Sequence, residues 1–446
     1  MSIDLHHNPE PRISFRSIAF LQVSTLLISA VVFIRGWPRR NNLDPDDYML
    51  FYDHIERGFK VLFYPNSGYL QTYNRLIIAL ISGGPVEELP NRIYVVTSFL
   101  WILAILVIQL LAIRISGSVR LGIGIAFVFA IQPLLNSLVL GVIVQTGQIW
   151  LFVLLMSIAF QVYPTKNSLK IVFFILIAIL GLSNPLTICL VPALILTSWR
   201  KSGSLKQIEN KILAIITICF LFQTGINYFG PTDLSGYAHR PSGVSPGELA
   251  YKMKWVTGIF SPRPIRDEFF LNGALSIDML SIVVLMVIFF LLFRIIAPTL
   301  KNGEENFRRA IYRLIISLPT FILFAFVMSR ILHFMYLLIP YGIVIGLIFS
   351  HLASKARTSR FIYLAISIVF MVSAIQTFIP KDDPYFPNAR PGHYFQSEVL
   401  KARKTCSETK QESILVPEFE QTIPQLSWKC NVLLQSGSGL LEVPRG

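Results

Sequence analysis

Charge is what this chain has least of. Charged residues fill only 14% of its 446 positions, against roughly 25% in an average soluble domain, while 53% of the residues are hydrophobic and 34 are Phe. A soluble fold of this length needs far more polar cover, because much of its surface still meets water. The deficit excludes a soluble protein, and the mean hydropathy of +0.59 agrees that a bilayer takes the apolar excess. Cysteine is scarce too: Cys189 and Cys219 sit inside apolar runs and read as small buried hydrophobes, whereas Cys406 and Cys430 fall in a polar tail. No C-x-x-C pair or His/Cys cluster occurs, which argues against a structural zinc site. The tail pair forms a disulfide if the tail lies in an oxidising compartment. Ionisable groups are nearly missing from the apolar runs, Asp278 apart, and no inverted repeat is evident; ion and proton carriers need such groups at mid-membrane, so transport is demoted.

What is present is a net charge of +14, which in a soluble chain points to nucleic acid. Its placement argues otherwise. The apolar run Ile18–Ile34 ends on Arg35, Arg39 and Arg40 without the small-residue cleavage site of a signal peptide, and reads as an uncleaved first span. Runs long enough to approach the hydrocarbon thickness follow near Ile93–Ile113, Leu121–Leu138, Ile149–Tyr163, Leu169–Leu182, Pro185–Ser198, Ile212–Tyr228, Leu275–Ile296, Leu314–Met328, Leu332–Phe349 and Phe361–Phe378. With the N-terminus inside, the short inner loops collect Arg114, Arg120, Lys166, Lys170, Arg200, Lys201, Lys206, Lys211, Lys301, Arg308, Arg309, Arg313, Lys355, Arg357 and Arg360, and the short outer turns hold only Arg330. The same bias favours a hairpin over one kinked helix across Leu169–Ser198, where Ser183-Asn184-Pro185 breaks the run.

The fold class that follows is an all-α polytopic membrane protein of about 11 transmembrane helices. Residues 1–379 make the transmembrane domain, with long outer loops at 35–92 and 229–272, and 380–446 a small C-terminal extracytoplasmic tail, in which Ser413–Pro417 and Leu426–Cys430 read as short strands. Long outer loops over short basic inner ones place the chemistry outside.

The first outer loop carries Asp44-Pro-Asp46-Asp47-Tyr-Met-Leu-Phe-Tyr-Asp53-His54-Ile-Glu56. Asp44 as N-cap and Pro45 at the first helical position account for its beginning. Asp53 and Glu56 lie too far along for that, sharing a face with Asp46, as His54 does with Asp47. A carboxylate there suits a general base for an acceptor hydroxyl or a ligand for a hard divalent cation such as Mg or Mn. Downstream, Pro65 to Tyr69 turns into a helix along the interface, with Arg75 where it meets apolar surface, placed to hold a lipid phosphate. Gln132, Pro133 and Asn136, then Gln145-Thr146-Gly147-Gln148-Ile149-Trp150, mark a membrane-boundary stretch whose amides either cap helices or bond sugar hydroxyls.

Taken in order, the acidic pair with its aromatic neighbours, Pro65-x-x-Gly68-Tyr69-Leu70…Arg75-Leu76, Pro133…Asn136…Gln148-x-Trp150 and Gly181-Leu182-Ser183-Asn184-Pro185 resemble bacterial members of the GT-C superfamily, polytopic glycosyltransferases that use polyprenyl-phosphate-linked sugars at the outer membrane face. The resemblance covers roughly residues 15–350. It implies that Asp46 or Asp47 is the catalytic base or a metal-linked residue; the family pair is often Asp-Glu, and this chain has Asp-Asp. The cations Arg75, Arg330, Arg240 and Lys254 are then the candidates for the donor phosphate, and Asp53, Tyr69, Gln148, Trp150 and His333 for sugar or acceptor. The solvated-loop reading of the 229–272 cations and a helix-end role for His333 stand beside these. The expected partners are a polyprenyl-phosphate sugar lipid, membrane lipids and a glycan, lipid or protein acceptor, with no nucleic acid, in a bacterial inner membrane with the tail outside. The alternative function is a non-catalytic translocase or assembly partner for envelope polysaccharide.

Overall fold

The computed structural model describes residues 15–37, 40–41, 43, 45–65, 70–131, 140–198, 204–229, 275–328, 338–354, 394–409, 411–416 and 426–436. Within them the chain is mostly helical, running α1 (Phe15–Gly36), α2 (Pro45–Arg57), a 3-10 segment (Gly58–Phe63), α3 (Thr72–Ile81), a second 3-10 turn (Val86–Glu88), α4 (Leu89–Ser116), α5 (Val119–Ile131), α6 (Ile143–Phe160), α7 (Asn167–Ser183), a third 3-10 segment (Pro185–Leu190), α8 (Val191–Ser198) and α9 (Ser204–Phe229). After them come α10 (Leu275–Asn302), α11 (Glu305–Met328), α12 (Leu338–Ala353), α13 (Tyr394–Thr409), β1 (Ser413–Val416), β2 (Leu426–Lys429) and α14 (Cys430–Ser436).

Among the described residues, three helices are each long and apolar enough to cross a bilayer: Ile18–Gly36, Val86–Ser116 and Ile143–Phe160. Asn167–Ser183 and Pro185–Ile195 meet at a bend of 119°, so Leu169–Ser198 is no single straight helix. Pro185 has no N–H to give and disfavours helical backbone in the residue before it. Asn184 accordingly leaves the helix at φ −138°, and its side chain accepts from Leu186 N–H at 3.0 Å to start the next turn. Each of the other apolar runs read from the sequence overlaps a described helix, with residues 132–138 of one run, 332–337 of another and all of Phe361–Phe378 lying outside the described residues. Large apolar side chains such as Leu26, Ile218 and Phe293 face outward, as lipid contact requires.

One continuous core joins the bundle. The Phe129 and Phe152 rings lie 4.7 Å apart between α5 and α6, and Gly342 of α12 admits the second ring, since a Cβ there would stand 2.4 Å from it. Near the C-terminal end of α6, Arg313 of α11 and Glu209 of α9 are fully buried, with Nη2 and Oε1 at 2.9 Å. Gln161 Nε2 at 2.6 Å and Tyr163 Oη at 3.3 Å donate to the same oxygen, and Arg313 also donates to the Ile158 carbonyl. Arg313, read from sequence as a loop charge setting orientation, is therefore an internal cross-tie, because its partner 104 residues away neutralises it inside the bundle.

The tail holds the two expected strands, paired antiparallel with Ile414 opposite Trp428, and the disulfide Cys406–Cys430. The flanking helices α13 and α14 were not legible beforehand.

A candidate active site around the first amphipathic helix

α2 forms where its sequence is amphipathic, burying Asp47, Tyr48, Leu50, Phe51, His54 and Ile55 while Glu56 and Arg57 stay exposed. Asp47 is wholly buried, and both its carboxylate oxygens accept from the backbone N–H of Ile143, at 3.1 and 3.0 Å. Ile143 opens α6, whose first amides have no partner within the helix and whose dipole favours an anion. α6 starts at residue 143 rather than near 149, so Gln145, Thr146, Gln148 and Trp150 sit in its first turns instead of preceding it.

Arg75, on α3, is buried and donates to the carbonyl of Val61. Its Nη2 also lies 3.6 Å from Asp53 Oδ2, an ionic contact longer than a hydrogen bond. His54, 2% exposed, stands edge-on to Phe59 at 5.6 Å, and its Nδ1 has no hydrogen-bond partner among the described residues. Burial, and after it the charge of Arg75, lowers the His54 pKa below 6.5. A histidine with a depressed folded pKa binds its proton more readily when unfolded, so its stabilisation is full above about pH 6.5 and is lost as pH falls below that value. The thermal midpoint of the parent protein in detergent is expected to drop between about pH 7.5 and 5.5, and His54→Gln to flatten that drop. An unchanged pH profile in the variant refutes the assignment.

The same helix meets α6 and α7. Tyr73 N–H donates to Ser183 Oγ at 2.5 Å, which gives the Ser183-Asn184-Pro185 break a second role as anchor for α3. The Tyr73 ring passes Gly147, where a Cβ would stand 3.8 Å away. Burial raises the Tyr73 phenol to about 12, with a smaller downward pull from the nearby Thr146 and Trp150 side chains, although no hydrogen bond closes on the phenol oxygen. Buried alongside, Gln145 Oε1, Gln148 Oε1 and Trp150 Nε1 also lack partners among the described residues. Interior polar atoms are normally bonded. A row of phenol, indole and amide groups left open offers donors and acceptors of the kind a hydroxyl-rich ligand uses.

Of the residues singled out from the sequence, Asp53 and Arg75 meet directly, Asp47 reaches the first amide of α6, and Gln148 and Trp150 lie in the first turns of that helix on different faces. Asp46 lies on α2, but its side chain is outside the described residues, as are Tyr69, Arg240, Lys254, Arg330 and His333 altogether. No group of three or more His, Cys, Asp or Glu suited to a metal ion occurs among the described residues. Sequence reasoning took Tyr73 as a belt residue and missed its place beside α6; the Gln145 and Gln148 amides were legible as possible sugar-pocket lining, and His54 by its place seven residues from Asp47 on one helix face.

The tail reaches this region. Lys429 Nζ pairs with Glu56 at 2.5 Å, and Arg403 grips Glu87 with two bonds at 2.9 and 2.6 Å. Burial opposes ionisation of Glu56, but the bonds from Lys429 and Tyr52 outweigh it and hold its carboxyl below the usual range.

No family model and no curated protein matches the chain. Among solved structures it is similar to the archaeal oligosaccharyltransferase AglB from Archaeoglobus fulgidus, in complex with an inhibitory peptide and a dolichol-phosphate, at 13% sequence identity and a TM-score of 0.44. The similarity covers 92% of this chain and 61% of that one, so the chain spans about three fifths of the length of the protein it matches.

Proposed function

We propose that the chain is an integral membrane glycosyltransferase of GT-C type, transferring a hexosyl or pentosyl group from a polyprenyl-phosphate donor to an envelope glycan, lipid or protein on the outer face of a bacterial inner membrane. In this reading the helices form 11 spans, the N-terminus is cytoplasmic and the tail lies outside. The observation that carries it is the set of polar groups held on α2, α3 and the start of α6 in a bundle otherwise made of apolar helices: the buried Asp47 carboxylate, the Asp53–Arg75 ion pair, and open groups on Tyr73, Gln145, Gln148 and Trp150. Burying the open phenol, amide and indole groups of Tyr73, Gln145, Gln148 and Trp150 costs free energy unless they are bonded, and a hydroxyl-rich ligand that pairs with them supplies the bonds.

The chemistry is a displacement at the anomeric carbon. Asp46 or Asp47 takes the proton of an acceptor hydroxyl, whose oxygen bonds to the sugar carbon as the bond to the phosphate oxygen breaks. Polyprenyl phosphate departs with the electron pair, and Arg75, with Arg240, Lys254 and Arg330 from the other outer segments, stabilises the charge. Asp53, Tyr69, Gln148, Trp150 and His333 orient the sugars, and orientation supplies much of the acceleration.

The second reading, a non-catalytic translocase or assembly partner for envelope polysaccharide, is favoured by one fact: the Asp47 carboxylate is already engaged with the N-terminus of α6. Membrane vesicles from cells expressing the chain, supplied with a radiolabelled sugar on polyprenyl phosphate, separate the two. New glycosidic bonds absent from control vesicles support transfer, whereas labelled lipid crossing the bilayer with no new bond overturns it.

A further inference from the structure

The tail is attached to the loop that bears the acids, and the attachment is built. Trp428 is fully buried, with its ring 4.9 Å from Tyr48 and 6.2 Å from Phe51, both on α2, and 6.3 Å from Phe395 of its own α13. Tyr48 is the immediate neighbour of Asp47. The next tail residue, Lys429, pairs with Glu56 in the last turn of α2, and Cys430 after it is bonded to Cys406 of α13. Arg403, on that helix, ties the tail to the body through Glu87 and back to α14 by donating to the Leu433 carbonyl at 2.9 Å. Two consecutive residues of a strand therefore contact both ends of α2, while a covalent cross-link and a two-bond ion pair fix the strand itself.

We propose that the C-terminal tail is a positioning clamp on α2, with Trp428 and Lys429 as the positioning residues. The proposal rests on the reading that α2 presents the carboxylates of the transferase site. Neither residue touches the reacting groups; they act by holding the helix, and hence Asp47 and Asp53, in register with α3 and α6. An isolated 13-residue helix is marginal in water, so α2 depends on what packs against it, and the tail supplies its outer packing.

The test uses the full chain in lipid nanodiscs, with amide hydrogen exchange over residues 47–57 as the first readout. Trp428→Ala is expected to speed exchange there about tenfold or more while leaving residues 151–160 within about twofold, and Trp428→Phe to restore most of the protection. Lys429→Glu is expected to speed exchange about threefold, and the swapped pair Glu56→Lys with Lys429→Glu to reverse that, an outcome a mere loss of folding does not give. Sugar transfer in membrane vesicles, with the labelled polyprenyl-phosphate donor, is expected to fall and recover in step. Unchanged exchange at 47–57 in Trp428→Ala overturns the clamp. So does faster exchange with transfer intact. If the parent chain forms no glycosidic bond at all, the transferase reading fails separately, and the exchange arm still decides whether the tail holds α2.

Discussion

Asp47→Asn is expected to lower sugar transfer by about 10²–10⁴-fold, the usual contribution of a positioned base, while leaving the thermal midpoint nearly where it was. The asymmetry follows from the geometry. Asp47 accepts from Ile143 N–H, and an Asn carbonyl oxygen accepts the same bond, since Asn and Asp are equivalent at helix N-termini. What Asn cannot do is take a proton. Asp47→Ala removes both functions and adds a destabilisation of about 1.5–3 kcal/mol, as for a lost hydrogen bond to a charged group. Transfer rates measured per folded molecule for both variants decide the matter: an Asn variant within about twofold of the parent makes Asp47 a structural tie only. The same substitution at Asp46 then shows whether the neighbouring carboxylate is the base, and full activity in both sinks the assigned role.

Arg313→Leu is expected to destabilise the protein by about 3–5 kcal/mol, because it strands the Glu209 carboxylate inside the bundle. Three donors converge on Glu209 Oε1, and without the guanidinium the remaining two are neutral. The paired change Glu209→Leu with Arg313→Leu is expected to recover most of the loss, since two apolar side chains need no compensation there. Thermal midpoints of the two single variants and the double one in detergent read this out as a double-mutant cycle. Additive losses in the double variant refute the coupling. Transfer per folded molecule is expected to stay constant throughout, since the pair ties α9 and α11 to the end of α6 opposite α2.

These two sites also show what a sequence discloses. The helical character and most of the apolar helices follow from hydropathy, and α2 from Asp44-Pro45 and the shared face of Asp47 and His54. The start of α6 was hidden because Gln145, Thr146 and Gln148 depress local hydropathy although all three turn inward. Arg313 looked like one more basic residue near a loop, because its acid partner lies on another helix and ion pairs between helices leave no periodic trace. The docking of Trp428 on Tyr48 depends on a pairing across most of the chain that no local pattern records. Arg75 was picked out for its place at the edge of an apolar run, but its contacts with Val61 and Asp53 came only with the fold.

The Glu56–Lys429 pair spans 373 residues, and that separation has a meaning in time. At the usual synthesis rate of about 5–20 residues per second, roughly 20–75 s pass between the emergence of the two partners. During that interval α2 has its acids in place but lacks its cover, and the Asp47 contact with α6 has to form without help from the tail. The segment around α2 is thus among the first parts made and the last completed. A chain stopped even a few residues short of Trp428 would carry every span and every candidate acid, yet never finish that segment.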